Sequence, residues 1–284
     1  TMLYIHSSKI SNILGYNKYI TQEQYIQLFI DYLYKNKDEL KIKDETNLNM
    51  KIINSNDASN QIINKVLNDT STEQRNNIQN ILDSNINTTN NLIETTQVIN
   101  NIINNLNYTN QEKYKIKNEL KRTINCNYGI NTENDGIKKY ETITNNKVYN
   151  NNSKLYSLEL NNYKICGKVD GYVKLNNKEY IFEIKNRKNK IFNHIPIYEQ
   201  IQLIIYTKLL KNTNIIFVQN MDTDINVNIL DNYINDDLYN HLIYKLNLYV
   251  ELLCKLQNDD NLRYYFIQKN KREKYKYIIE YINI

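Results

Sequence analysis

The sequence predicts a mixed α/β protein with one central sheet, on three observations. Two strand-like runs, 163–175 and 179–185, meet at the turn-forming pair Asn176-Asn177. Capping-box patterns with apolar residues at helical spacing precede them. A long helical stripe over 238–256 follows.

In chain order, Thr21-x-x-Gln24 opens an amphipathic run through Tyr25, Leu28, Phe29, Tyr32 and Leu33, a helix. Residues 45–125 are polar, Asn-laden and poor in strand signals. Ser71-x-x-Gln74 and Thr109-x-x-Glu112 predict that this stretch is helical rather than a loose linker. The strand pair comes next, then a helix over 197–210 and a short apolar strand over 215–219. A further strand is expected over 225–230, before the helical stripe. Beyond Arg263 the tail is basic and aromatic, and reads as a surface helix.

A chain of 284 residues with 41% hydrophobic and 24% charged residues is ordinary for a folded protein. Its usage is skewed to Asn, Ile, Lys and Tyr, with no Trp and one Pro. AT-rich codons explain that skew, so it is not evidence of function. Met2 is expected to be the native start, with Thr1 an addition ahead of it. No window approaches a membrane span, and the N-terminus has no basic region followed by an apolar run. Cys126, Cys166 and Cys254 are odd in number and in no ligand spacing, which argues for a reducing intracellular compartment and against a zinc or iron–sulfur site. A net charge of +5 permits nucleic-acid binding without demanding it.

The chemistry concentrates in three acidic residues and a lysine. Asp170 lies in Gly167-Lys-Val-Asp-Gly171, late in the first strand, and Glu183-Ile-Lys185 ends the second. Period-two geometry puts Glu183 and Lys185 on one face while the Ile184 side chain enters the core. A hairpin brings Asp170 beside them. Two carboxylates and the Ile184 backbone carbonyl make a hard-oxygen site suited to Mg²⁺, with Mn²⁺ as a substitute. Water on such an ion becomes a nucleophile that Lys185 can orient against a phosphodiester. On the next helix, Gln202 and Tyr206 share a face at four-residue spacing.

Gly-x-Val-Asp-Gly, then Glu-x-Lys, then a helix bearing Gln-x-x-x-Tyr, resembles the PD-(D/E)xK nuclease superfamily, and within it the lambda-type exonucleases and YqaJ-like viral recombinases. Gly129-Ile-Asn-Thr-Glu133 is similar to that branch's upstream motif, a glycine four residues before a helix-borne glutamate. The resemblance covers the N-terminal segment and residues 128–220. It implies a restriction-endonuclease-like central sheet flanked by helices, with helical additions at both ends. The expected division is a helical region over 1–127, a nuclease core over 128–220, and a C-terminal strand and helices over 221–284, as one compact unit.

On that likeness Asp170, Glu183 and Glu133 hold metal, and Lys185 positions or activates the water. Gln202 and Tyr206 brace the site or touch the substrate strand. Ser8, in His6-Ser7-Ser8-Lys9-Ile10 ahead of a helix at Ile13-Leu14, corresponds to a segment that holds a 5′-phosphate; an ordinary N-cap is the other reading. Arg187 and Lys188 either contact DNA phosphates just beyond the site or belong to a solvated loop. The implied activity is a 5′-to-3′ deoxyribonuclease on double-stranded ends, serving recombination, replication or repair. A trimer and a recombination or replication partner protein are also implied, as is a large DNA virus as source, with host cytoplasm or nucleus as location. The alternatives are a structure-specific or nicking endonuclease on the same site, and a catalytically silent module that binds DNA or protein.

Overall fold

The computed structural model describes residues 2–83, 89–149, 154–222 and 224–283. It opens with a strand that has no sequence signal, β1 (Leu3–His6), running straight into α1 (Ser7–Ile13). The helix expected to begin near Ile13 therefore ends there. Then come α2 (Gln22–Leu33) and α3 (Asp38–Leu48). The Asn-rich stretch is helical as predicted: α4 (Ser55–Asp69), α5 (Thr72–Asp83), α6 (Thr89–Asn105) and α7 (Asn110–Asn131), with α8 (Glu133–Thr144) after it. Strands β2 (Val148–Tyr149), β3 (Tyr156–Glu159), β4 (Tyr163–Gly167), β5 (Gly171–Leu175) and β6 (Lys178–Asn186) follow. The chain closes through α9 (Ile197–Leu210), β7 (Ile215–Asn220), β8 (Ile225–Leu230), α10 (Asp236–Asn258), α11 (Asp260–Gln268) and α12 (Lys271–Ile282).

The capping boxes form as read. The Thr21 hydroxyl accepts from Gln24 N at 3.2 Å while the Gln24 side chain accepts from Thr21 N at 3.0 Å. Thr109 with Glu112, and Ser71 with Gln74, do the same for α7 and α5. Asn176 and Asn177 both take positive φ, 50° and 61°, closing a two-residue hairpin in which Leu175 faces Lys178.

The fold is mixed α/β, but with two sheets among the described residues instead of one. Strand 163–175 breaks at Lys168–Asp170. Its first half, β4, sits between β1 and β3; its second half, β5, joins the order β2-β5-β6-β7-β8. β6 and β7 are parallel, linked by α9 as a βαβ crossover. One face of the larger sheet packs Tyr180, Phe182 and Ile184 against Ile137 and Tyr140 of α8. The other packs Ile181 and Phe217 against Leu203 and Tyr206 of α9.

Packing divides the chain differently from 1–127, 128–220 and 221–284. Residues from β1, α1 and α2 share a core with α9 through α12, where the Phe29 ring meets Tyr249 at 5.3 Å and Phe266 at 5.4 Å. Emptying that fully buried position would cost about 3–5 kcal/mol. Helices α4 to α7 have a core of their own around Val66, Ile78, Leu92, Ile103, Leu120 and Ile124. Among the described residues no helix is long and apolar enough to cross a membrane.

Candidate active site

The break at Lys168–Asp170 creates the site. Gly167 makes it possible: a Cβ there would lie 2.6 Å from Ser7 Oγ and 2.9 Å from the Tyr206 ring. Tyr206, buried on α9, donates its hydroxyl to the Lys168 carbonyl at 2.5 Å and accepts from Gln202 Nε2 at 2.7 Å. Gln202 and Tyr206 thus brace the bend from which Asp170 emerges. Asp170 Oδ2 then accepts the Ile184 N–H across the hairpin at 2.8 Å.

Asp170, Glu183 and Lys185 come together, as the spacing predicted. Glu183 is 1% exposed, its Oε1 accepts from Lys185 Nζ, and its Oε2 is buried with no hydrogen-bond partner among the described residues. Burial and the neighbouring Asp170 push the Glu183 carboxyl up to about 8. Burial likewise raises Asp170, against the pull of Lys185 and the Ile184 N–H. For Lys185 burial opposes the charge, but Glu183 and Asp170 outweigh it and hold the ammonium above its ordinary range. The Ile184 side chain points to the opposite face, into the α8 core.

Glu133 is the first residue of α8 and half-buried. Its charge reaches Glu183 and adds to the upward shift there. What sets α8 is Gly136, where a Cβ would meet Ile184 Cδ1 at 2.7 Å; Gly129 has nothing within 4 Å of such a carbon. Gly129 matters through its carbonyl, which accepts from Asn186 Nδ2 at 3.3 Å and ties the end of α7 to the end of β6. Among the described residues no group of three or more His, Cys, Asp or Glu is arranged to hold a metal ion. The donor chemistry in place is that of hard oxygen: the half-buried Asp170 at the bend before β5 and the buried Glu183 on β6, whose Oε2 has no hydrogen-bond partner among the described residues.

The structure corrects the reading of Arg187. Its guanidinium is buried and committed internally, with 2.7 Å bonds from Nη1 and Nη2 to the two Glu199 oxygens and a 2.9 Å bond from Nε to Gln219 Oε1. A cation clamped in this way has no free fork for a phosphate. Lys188 is half-buried beyond it. Ser8 is exposed on α1, whereas Ser7 is buried against Gly167 near Tyr206. His194 is exposed in the segment after β6.

Glu199 and Gln219 escaped the sequence reading. Gln219 carried a signal, as the polar residue in the apolar run Ile215–Gln219, and it lies directly opposite Lys185 in the β6–β7 register. It also holds the segment after β6, bonding Phe192 N at 3.0 Å and Phe192 O at 2.9 Å. Glu199 looks like any exposed first-turn acid until the fold brings Arg187 to it.

No family model matches this chain, and no curated protein does. A solved structure titled "Crystal structure of SSO0001" is similar over 58% of this chain and 86% of its own, with 15% identity and a TM-score of 0.35. At that level the likeness carries no argument about fold or function.

Proposed function

We propose that the protein is a metal-dependent deoxyribonuclease with a restriction-endonuclease-like core. The observation that carries this is the trio of the buried Glu183 with the half-buried Asp170 and Lys185, with Glu183 Oε2 unpartnered among the described residues. A solvated hairpin would leave such acids in water. When both acids are ionised, one ammonium leaves an excess of negative charge that a divalent cation offsets.

Asp170, Glu183 and the Ile184 backbone carbonyl are the ligands of Mg²⁺ or Mn²⁺ in this reading, with Glu133 assisting from α8. When bound, the ion supplies Lewis-acid charge to the phosphate and lowers the pKa of its water. Lys185 donates a hydrogen bond to the attacking water or to a phosphate oxygen. Its ammonium is held charged by Glu183 and Asp170, which favours orientation over proton abstraction. Gln202 and Tyr206 hold the Asp170 bend and face the same site. The sequence resemblance points further, to a 5′-to-3′ exonuclease on duplex ends.

Digestion of linear and circular duplex DNA with and without Mg²⁺ tests the reading, using wild type and Lys185→Ala. The expected outcome is metal-dependent loss of the linear form only, reduced at least ~100-fold by the substitution. Loss of the circle as well would indicate the endonuclease. If both forms survive with Mg²⁺ and Mn²⁺, on 5′-phosphorylated and 5′-hydroxyl ends, the protein is not a nuclease of duplex DNA.

A further inference from the structure

One face of α9 leads from the site to an aromatic pair that the proposed chemistry does not use. Tyr198, Gln202 and Tyr206 recur at four-residue spacing and so share that face. Exposure rises along the row: Tyr206 is buried against the Lys168 bend, while Gln202 and Tyr198 are half-buried. Tyr198 stands about 12 Å along the helix axis from Tyr206. Against Tyr198 lies Tyr19, 61% exposed, with ring centroids 5.8 Å apart and planes at 82°. The row thus runs from the bend that carries Asp170 outward to an open pair of rings.

Tyr19 is held in place although it faces water. The residues after α1 fold back onto that helix: Tyr16 N and Asn17 N both donate to Ser11 O, at 2.8 Å and 3.2 Å, and Asn17 Nδ2 donates to Asn12 Oδ1 at 2.8 Å. Asn17 Oδ1 in turn accepts from Tyr19 N at 3.0 Å. A ring fixed in this way loses little freedom when a ligand settles on it. The edge-to-face contact also leaves at least one full face of each ring uncovered by the other. Beside it, the exposed Lys18 places its ammonium 5.3 Å from the Tyr19 ring centre. An aromatic face for a base, with a cation next to it for a phosphate, is how single strands are held without sequence readout.

We propose that Tyr19, buttressed by Tyr198, is a stacking platform for an unpaired base of the nucleic-acid strand, with Lys18 on an adjoining phosphate. This rests on the nuclease reading, because the α9 face that ends at Tyr198 begins at the Asp170 bend. The same position makes a base the occupant: the strand that reaches Asp170 and Glu183 brings bases and phosphates together, as the ring and the ammonium require. Stacking on a tyrosine tolerates any base, so the platform favours frayed or single-stranded ends over a sequence.

The test is binding by fluorescence anisotropy in EDTA, so that cleavage plays no part. The probes are a fluorescein-labelled thymidine oligonucleotide about 12 nucleotides long and an abasic oligomer of the same length and charge. Variants are Tyr19→Ala, Tyr19→Phe, Tyr198→Ala, and Tyr265→Ala as a control, since Tyr265 is equally exposed on α11, which supplies no residue to the site. Thermal melts check that each is folded. Tyr19→Ala is expected to weaken thymidine-strand binding at least about fivefold and to leave abasic-strand binding unchanged. Tyr198→Ala should weaken it in the same direction, whereas Tyr19→Phe, which keeps the ring, and Tyr265→Ala should match wild type. An equal loss on both probes would place Tyr19 against the backbone and overturn the platform. Wild-type affinity in Tyr19→Ala, or no binding of the thymidine strand by wild type, would overturn it too. In each of these cases, metal-dependent cleavage in the digestion experiment leaves the nuclease reading standing, and its absence removes that reading separately.

Discussion

Asp170 accepts the Ile184 N–H from across the β5–β6 hairpin at 2.8 Å, one residue along from Glu183. That bond spends one carboxylate oxygen on the backbone and aims the acid at its neighbour. Lys185 supplies one positive charge to two carboxyls, the buried Glu183 and the half-buried Asp170. With one cation for two acids, burial and the neighbouring charge raise both carboxyls above their ordinary range.

Stability should therefore fall with rising pH when no metal is bound. The Glu183 carboxyl is raised from 4.5 to about 8, so the folded state binds more protons than the unfolded state between those values. Its contribution is fully present below about 4.5 and is lost as pH rises through about 8. Glu183→Gln is expected to raise the Tm near pH 8 by a few degrees, roughly 1–3 kcal/mol, and to change little near pH 5. Mg²⁺ should raise the wild-type Tm more near pH 8 than near pH 5, because its ligands must be ionised. Thermal melts at the two pH values decide this, and equal Mg²⁺ shifts at both would contradict it.

The Arg187–Glu199 pair makes a prediction about folding. Both groups are buried, and the Arg187 guanidinium also lies over the Phe192 ring at 4.7 Å. Arg187→Ala leaves the Glu199 charge buried without its partner, an expected loss of about 3–5 kcal/mol. Replacing both, as Arg187→Met with Glu199→Met, should recover most of that loss. Urea unfolding measures each step. A double variant no more stable than the single one would mean that the pair matters through its shape and not its charge.

Much of this arrangement was legible in the sequence. The Asn176-Asn177 turn and strand alternation put Glu183 and Lys185 on one face and Asp170 opposite, and the capping boxes located α2, α5 and α7. What was not legible depends on contacts distant in the chain. β1 is a four-residue strand whose partner among the described residues is β4, some 160 positions away, so local pattern cannot announce it. The break at Lys168–Asp170 needs Ser7, Gly167 and Tyr206 to meet, and no window of sequence contains all three. Arg187 reads as a surface cation because the acid that buries it lies on α9 and the amide that orients it lies on β7.

The bend at Gly167 gives the last prediction. A methyl group there would be forced between Ser7 and the Tyr206 ring, at 2.6 Å and 2.9 Å. Neither can swing aside freely, since both are buried and Tyr206 is anchored to the Lys168 carbonyl. Gly167→Ala is thus expected to cost about 1–3 kcal/mol by overpacking. Tyr206→Phe removes only the hydroxyl, for about 1 kcal/mol, while freeing the carbonyl that shapes the bend. The two variants separate stability from positioning. If Tyr206 sets Asp170, Tyr206→Phe should lower the cleavage rate at saturating DNA much more than its small Tm change explains, and leave duplex affinity in EDTA unchanged. A rate loss matched by an equal loss of affinity would instead place Tyr206 against the substrate strand.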